Sequence, residues 1–145
     1  MLPCPVAELV PHRPPMLLLD RVLGADETTL QASLTIHPGT EFLEAEGVPA
    51  HIGIEYMAQA CAAFAGSRAR AAGGAPRVGF LLGSRRFAML RPWYRLGETL
   101  LVSVTLVYQD EAMGSFAGRI EVGGALAAEA DLTVYEPPAA GEVPK

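Results

Sequence analysis

Two polar side chains interrupt an otherwise apolar stretch near the middle of the chain. Residues 48–66 read VPAHIGIEYMAQACAAFAG, and Glu55 is the only charged residue between Ile52 and Gly66. Gln59, four residues later, is the only other strongly polar one. A carboxylate among apolar residues is costly to bury, so it needs a partner or a functional role. The pattern makes Glu55 the first candidate for proton transfer, in which a carboxyl group acts as a general acid.

Histidine is the usual base beside such an acid, and the chain has three. His51 precedes Glu55 by four residues, which would place both side chains on one face of a helix. His51 is therefore the candidate base, and a packing or capping role in the first helical turn is the alternative. His37 ends a strand-like run and could reach a partner's helix, or it is a solvated loop residue. His12 lies among prolines, which favours a structural role.

Other groups near this acid could contact a substrate. Backbone N–H groups from Ala50 to Gly53, at the predicted helix N-terminus, would face negative charge developing on an oxygen. Gln59 would orient the Glu55 carboxyl, or would only satisfy its own hydrogen bonds. The apolar strand that carries Phe80 could line a tunnel for the acyl chain, or it could form ordinary core. We predict Glu55 and His51 as catalytic residues and no metal ligands; the predicted substrate-binding residues are Ala50, Gly53, Gln59 and Phe80.

The segment that carries these residues predicts a helix. It is apolar on every side, so other elements should enclose it. Pro49 suits a first helical turn, and Gly53 indicates a close approach of another backbone segment or of a ligand. Arg68 and Arg70 are favourable near a helix C-terminus, and Gly73-Gly74 should end the helix.

Strands are predicted on both sides of the helix. Two precede it, at residues 16–23 and 28–37, and four follow, at residues 77–90, 98–109, 115–122 and 126–135. One sheet covers only one side of a helix, so a symmetric partner is the simplest cover for the other side. The prediction is an α+β fold of the hot-dog type, in which long antiparallel strands wrap a central helix and a dimer completes the burial. Residues 1–136 would form one domain, and the Pro- and Ala-rich residues 137–145 a flexible tail.

Composition limits the class of protein. The chain has 145 residues, half of them hydrophobic, and a net charge of −5, which fits one globular domain and argues against binding nucleic acid or anionic membranes. Cys4 and Cys61 have no zinc-site spacing and indicate reduced thiols. The N-terminus has no positively charged region, so no signal peptide is expected. The polar residues of the apolar helix argue against a membrane span. We expect a cytoplasmic protein with no cofactor of its own.

Three motifs resemble the 3-hydroxyacyl-acyl-carrier-protein dehydratase family of hot-dog proteins. Residues 11–22 (PHRPPMLLLDRV) look like the family's first strand, and residues 53–60 (GIEYMAQA) look like its central-helix motif. Residues 79–98, with GFLL, RP and GE, look like its third and fourth strands. The resemblance covers roughly residues 6 to 136. The sequence of residues 48–50 and 55–59 is more similar to a divergent branch, the dehydratase-like proteins of aryl polyene and related pigment pathways.

The resemblance implies dehydration of 3-hydroxyacyl thioesters in fatty acid or polyene-type biosynthesis. Glu55 matches the family's helix acid, which works with a histidine on the loop before the helix. That histidine position falls near Glu41 here, and no histidine is present; His51 would replace it. The substrate would be carried on phosphopantetheine by an acyl carrier protein. Arginines between residues 68 and 95 would suit this acidic partner.

Three functions remain open at this point. The chain could be a catalytic dehydratase acting on acyl thioesters, in a homodimer or a heterodimer. It could be a non-catalytic or weakly active hot-dog subunit that pairs with an active relative, as the missing loop histidine suggests. It could also be a hot-dog thioesterase, in which a helix carboxylate activates water, although the dehydratase-like helix motif argues against this.

Overall fold

One long helix lies against a curved antiparallel sheet in the computed structural model, which describes residues 2–74 and 80–135. The helix is α1, Gly53–Ala71. Ten strands are described: β1 Cys4–Pro5, β2 Arg21–Ala25, β3 Thr29–Thr35, β4 Val48–Pro49, β5 Phe80–Gly83, β6 Phe87–Met89, β7 Trp93–Tyr94, β8 Thr99–Asp110, β9 Met113–Val122 and β10 Ala125–Tyr135. The large sheet has the order β1-β2-β3-β8-β9-β10-β5, with β6 also on β10, and β4 pairs with β7. This is the predicted α+β hot-dog architecture.

The core lies between α1 and one face of the sheet. The strand predicted at residues 28–37 is confirmed as β3, and its alternate residues Leu30, Ala32 and Leu34 are buried. Their partners on β8 are Val104, Val102 and Leu100, which are also buried. Burying a Val or Leu side chain stabilises a fold by about 1.5–3 kcal/mol. The alternating strands therefore hold the helix in place.

Glycines allow α1 to approach its neighbours closely. A Cβ at Gly53 would lie 2.8 Å from the Tyr94 hydroxyl, so the close approach at this position is made by a side chain, not by the predicted backbone segment or ligand. A Cβ at Gly66 would lie 1.7 Å from the backbone oxygen of Leu9. No side chain fits at that distance, so the chain before β2, which we call the N-terminal segment, lies directly on the helix backbone at Leu9.

The helix begins later than predicted. Val48 and Pro49 form β4 and pair with Tyr94 and Trp93, and the Pro49 backbone is extended, with ψ 138°. A 3-10 helix, Ala50–Ile52, follows before α1 begins at Gly53. The prediction of a helix from residue 48 is wrong, because β7 offers Val48 and Pro49 a strand partner.

The C-terminal end of the helix matches the prediction. Gly73 has φ +84°, a conformation that favours glycine. Its N–H donates to the Arg70 carbonyl at 3.0 Å, and the Gly74 N–H donates to the Ala69 carbonyl at 2.7 Å. This pair of bonds is the Schellman motif that commonly ends a helix.

Two predicted strands differ from those observed. The strand predicted at 16–23 begins only at Arg21, because the preceding amides bond to a side chain of α1. The strand predicted at 77–90 is divided into β5 and β6. Between them, Asp131 of β10 accepts from the Ser84 hydroxyl at 3.2 Å and from the Arg86 N–H at 3.0 Å. Residues 77–79 and the predicted tail, 137–145, lie outside the described residues.

Over the described ranges, no helix is long and apolar enough to cross a membrane. Cys4 and Cys61 are both free thiols, and both are buried. Burial raises the pKa of the Cys61 thiol, so at neutral pH this cysteine behaves as a small apolar core residue.

Candidate active site

Glu55 lies on the third residue of α1, and its side chain is exposed. In the single chain the sheet covers one side of α1, and the cover predicted for the other side, a partner chain, stays a prediction. A stripe of residues spaced three or four apart remains exposed or partly exposed along α1 and the turn before it; its members are His51, Glu55, Ala58, Ala62, Ala65 and Ala69. We call this set the uncovered stripe. In the single chain, the Glu55 side chain is therefore open to solvent.

A small cavity opens beside the Glu55 carboxyl. Its volume is about 150 Å³. The walls come from α1, from the N-terminal segment and from the sheet, and the lining residues are His12, Met16, Leu18, Glu55, Ala58, Gln59, Ala62, Leu81 and Val134. We call it the Glu55 cavity. It combines one carboxyl group and one imidazole with mainly apolar walls, a combination suited to proton transfer on an apolar substrate.

His12 is the histidine that the fold brings to this cavity. It is half-buried, and its Nδ1 is buried with no hydrogen-bond partner among the described residues. Burial lowers the pKa of His12, which favours the neutral imidazole. From the sequence, His12 was assigned a structural role because of the prolines around it. Its place in the motif of residues 11–22 was the available indication of a functional position.

Gln59 fastens the N-terminal segment to α1. Its Oε1 accepts from the N–H groups of Leu18 and Leu19 at 2.8 and 2.9 Å, and its Nε2 donates to the Met16 carbonyl at 2.9 Å. Its side chain is buried, with 5% exposed. The described contacts include no hydrogen bond between Gln59 and Glu55. Gln59 thus orients the segment that carries His12, whereas its predicted contact with substrate stays a prediction.

His51 lies away from the Glu55 cavity. It is exposed in the 3-10 helix and borders a separate, open hollow of about 490 Å³, together with Met89, Leu90 and Arg91. The described residues show no hydrogen bond between His51 and Glu55 and no cavity lined by both. The i, i+4 argument assumed α-helical geometry, but a 3-10 turn rotates its side chains differently. Both residues nevertheless lie on the uncovered stripe, so their pairing stays a prediction.

The two backbone amides predicted to face a substrate already have acceptors. The Ala50 N–H donates to the Pro92 carbonyl at 2.9 Å. The Gly53 N–H bonds to the carbonyls of the 3-10 turn, at Ala50 and His51. Neither amide is a free donor in this conformation, so the predicted oxyanion contact of Ala50 and Gly53 stays a prediction. Phe80 of β5 pairs with Tyr135 of β10 in the sheet. Its side chain lies outside the described structure, so its role in lining an acyl tunnel stays a prediction.

The loop before the helix forms a second polar cavity of about 150 Å³. Glu41, at the position where the family histidine was expected, lines it together with Asp20, His37 and Tyr56. The His37 Nδ1 accepts from the Gly39 N–H at 3.0 Å. Leu18 borders both this cavity and the Glu55 cavity. The N-terminal segment therefore separates the loop residues from Glu55 within one chain.

Three of the seven arginines in the predicted basic cluster are paired with acidic side chains. Arg70 forms an ion pair with Glu8 at 3.2 Å, Arg86 with Glu129 at 2.6 Å and Arg91 with Glu98 at 2.5 Å. Arg77 lies outside the described residues. Arg85 and Arg95 are exposed. The cluster is therefore less available to an acidic partner than its charge suggests.

Comparison with known proteins identifies the family. A family model described as ApeP-like, ApeP dehydratase, matches residues 4–145. The chain belongs to the ApeP-like dehydratase family. A 3-hydroxyacyl-acyl-carrier-protein dehydratase FabZ of Oenococcus oeni is 33% identical over 135 residues, 88% of this chain and 93% of that protein. One from Thermus thermophilus is 34% identical over 135 residues, 88% of this chain and 92% of that protein. The resemblance stated from the motifs is thus confirmed.

Solved structures agree with this family assignment. A chain of the dehydratase heterocomplex ApeI:P from Xenorhabdus doucetiae is 30% identical and superposes with a TM-score of 0.88, covering 94% of this chain and 93% of that chain. A hypothetical thioesterase with coenzyme A from Streptococcus pneumoniae has a TM-score of 0.64 at 13% identity, covering 80% and 84% of the two chains. The second similarity shows the shared fold alone. The ApeP-like family member described here is a dehydratase-like hot-dog protein.

Proposed function

We propose that this protein dehydrates 3-hydroxyacyl thioesters held by an acyl carrier protein, in an assembly with a related hot-dog chain, and that Glu55 is the general acid. The observation that carries the proposal is the position of Glu55. This acid stands on the uncovered stripe of an otherwise buried helix, beside a small cavity that a second chain would close. The FabZ dehydratases and the ApeI:P dehydratase heterocomplex among its relatives support the same chemistry.

Dehydration needs two proton transfers on neighbouring carbons. A base removes the proton on C2, next to the thioester carbonyl, and an acid protonates the hydroxyl on C3 so that it leaves as water. A covering chain would remove water from the Glu55 carboxyl. Burial favours the protonated form of a carboxyl group, which is the form that can donate. Closing the cavity would therefore prepare Glu55 for its proposed role.

Exposed apolar side chains near Glu55 and His51 support a covering chain. Met16, which lines the Glu55 cavity, is at least half exposed, and so are Met89 and Leu90, which border the hollow beside His51. Among the described strands, β6 pairs only with β10, so its other edge is open. Open edges and exposed apolar residues favour association with another chain. The ApeI:P complex supports a related chain as this partner, and a second copy of the same chain is the alternative.

The carrier protein would deliver the substrate on its phosphopantetheine arm. Arg85 and Arg95 are exposed, whereas Arg91, at the hollow beside His51, is paired with Glu98. The two exposed cations would attract an acidic carrier and the phosphate of its arm. The reaction would take place in the cytoplasm, where the free thiols of Cys4 and Cys61 would stay reduced.

The decisive experiment is turnover of a 3-hydroxyacyl carrier protein. The protein is incubated alone and as a co-purified complex with its related hot-dog chain, and the acyl product is analysed by mass spectrometry. We expect loss of water in the complex, and a fall of at least about 100-fold in kcat for Glu55→Gln, because removing a general acid costs about 10²–10⁴ in rate. Release of free acid would instead identify a thioesterase. No turnover by either wild-type sample would refute the proposal.

A non-catalytic partner subunit is the second candidate function. It is favoured by Glu41 at the histidine position and by the separation of His51 from Glu55. In that case Glu55→Gln would leave the activity of the complex unchanged, whereas omitting the chain would abolish it. The same set of samples therefore distinguishes a catalytic chain from a supporting one.

A further inference from the structure

We infer that His12 is the imidazole that works with Glu55, as the catalytic base in the place of the missing loop histidine. This inference rests on the proposed function. Its starting point is that His12 and Glu55 line the same cavity of about 150 Å³. The two residues are 43 positions apart in the chain, so only the fold brings them together.

The His12 ring has a free hydrogen-bonding position. Its Nδ1 is buried and has no partner among the described residues. Buried polar atoms are rarely left without a partner, because each such group costs about 1–3 kcal/mol. A substrate, or the Glu55 carboxyl, could provide that partner. His12 also lines the Glu55 cavity, and an imidazole with an unfilled hydrogen-bonding position is what a base that binds its partner only during turnover would show.

The backbone around His12 is held at two points. The Arg13 guanidinium donates to the Val10 carbonyl at 3.0 Å, on the N-terminal side. On the C-terminal side, Gln59 binds the backbone of Met16, Leu18 and Leu19. The imidazole is thus carried on a segment fixed to α1, the element that carries Glu55. A catalytic pair needs such fixed geometry, since small displacements of a reacting group reduce rates strongly.

The charges around the ring suit a neutral base. Among the described lining residues of the cavity, Glu55 is the only titratable group besides His12, and the sheet contributes only apolar Leu81 and Val134. The neighbouring Arg13 directs its guanidinium at backbone carbonyls. Burial lowers the pKa of His12, so the ring is neutral and able to accept a proton at neutral pH.

His12 and Glu55 together account for every proton and electron pair that moves in the dehydration. Neutral His12 accepts the proton from C2, and the electrons of the C2–H bond form the C2–C3 double bond. The C3–O bond breaks as Glu55 gives its proton to the departing hydroxyl, which leaves as water. The proton on the imidazolium then returns to the Glu55 carboxylate. The pair is restored without any co-reactant.

The first test compares histidine variants in the active complex. We expect His12→Gln to lower kcat by at least about 100-fold while KM changes little, because a lost base affects chemistry more than binding. His51→Gln is the competing variant. A larger loss at His51 than at His12, with wild-type turnover intact, would overturn the inference without touching the proposed function. Thermal melting of each variant shows that it is folded.

The second test needs no turnover. The chain has three histidines, so its imidazole proton signals can be assigned by substitution and titrated by nuclear magnetic resonance. We expect His12 to titrate below the ordinary value of about 6.5, and Glu55→Gln to lower its midpoint by at least about 0.5 pH unit, because a nearby anion favours the imidazolium. The His37 signal is the internal control. A His12 midpoint that is the same with and without the Glu55 charge would refute the pairing.

Discussion

Two tyrosine hydroxyls are buried beside the start of α1. The ring centroids of Tyr56 and Tyr94 are 6.2 Å apart, and neither hydroxyl has a hydrogen-bond partner among the described residues. Burial raises the pKa of both side chains, that of Tyr94 to about 12. The charged phenolate is therefore disfavoured in the folded state. These residues make the stability of the fold sensitive to alkaline pH.

Tyr94→Phe tests this sensitivity. A tyrosine titrates near pH 10 in an unfolded chain, so the folded state holds its proton more tightly. That contribution to stability is complete below pH 10 and is lost as the pH rises towards 12, at most about 1.4 kcal/mol for each pH unit. Urea unfolding at pH 8 and pH 11 should show a smaller loss for Tyr94→Phe than for wild type. The exposed Tyr108→Phe is the matched control and should behave as wild type; equal losses in all three proteins would contradict the assignment.

The sequence predicts Glu55 and His51 as the catalytic pair, and both roles stay predictions. Glu55 stands out because it is a lone charge in an apolar segment. His51 was chosen because four residues separate it from Glu55, but the chain forms a 3-10 turn there. His12 reaches the Glu55 cavity only because the segment between them folds back onto α1. Side-chain proximity across 43 residues depends on that fold, which local spacing does not encode.

At the scale of elements, one side chain of α1 provides the backbone hydrogen bonds that a neighbouring strand would otherwise provide. Residues 16–19 have strand-like apolar character, yet Gln59 takes up their backbone groups through three hydrogen bonds. The segment therefore runs across the helix and joins β2 only at Arg21. The helix and the N-terminal segment form one unit, and the position of His12 depends on it.

Gln59→Leu should separate these elements. The change leaves two N–H groups and one carbonyl without partners, and each buried unsatisfied group costs about 1–3 kcal/mol. We expect unfolding to become easier by at least about 2 kcal/mol in urea, with faster hydrogen exchange at the amides of Leu18 and Leu19. Gln31→Leu, on an exposed position of β3, is the control and should change stability by about 0.5 kcal/mol or less. Unchanged exchange at both amides would show that the bonds do not hold the segment.

The elements that were predicted well are those with strong periodic patterns. The alternation of residues 28–37 and 98–109 located β3 and β8, and Gly73-Gly74 located the end of α1. The short pair β4 and β7 was missed, because two-residue strands have no period to detect. The division of the 77–90 strand depends on Asp131, a residue of another strand that binds the backbone between β5 and β6.

At the scale of the whole molecule, the uncovered stripe of α1 and the open edge of β6 are neighbours. The uncovered stripe of α1 includes Glu55 and His51, and His51 borders the same hollow as Met89 and Leu90 at the open edge of β6. An acid placed for chemistry and an apolar edge placed for association thus belong to one surface. The proposed partner chain would bury the edge and close the Glu55 cavity in a single step, so assembly and activity should depend on the same residues.

Leu90→Asp tests whether this surface binds the partner chain. Leu90 is 58% exposed, so a charge there should leave the single chain stable but weaken association at least about tenfold, about 1.4 kcal/mol, because the aspartate would be desolvated in the interface. Leu96→Asp is the matched control: Leu96 is 56% exposed but lies in the turn between β7 and β8. Sedimentation of the purified complex, with thermal melting of each chain alone, measures both effects. Equal association of the two variants would show that the partner binds elsewhere, and the Glu55 cavity would then lack its proposed cover.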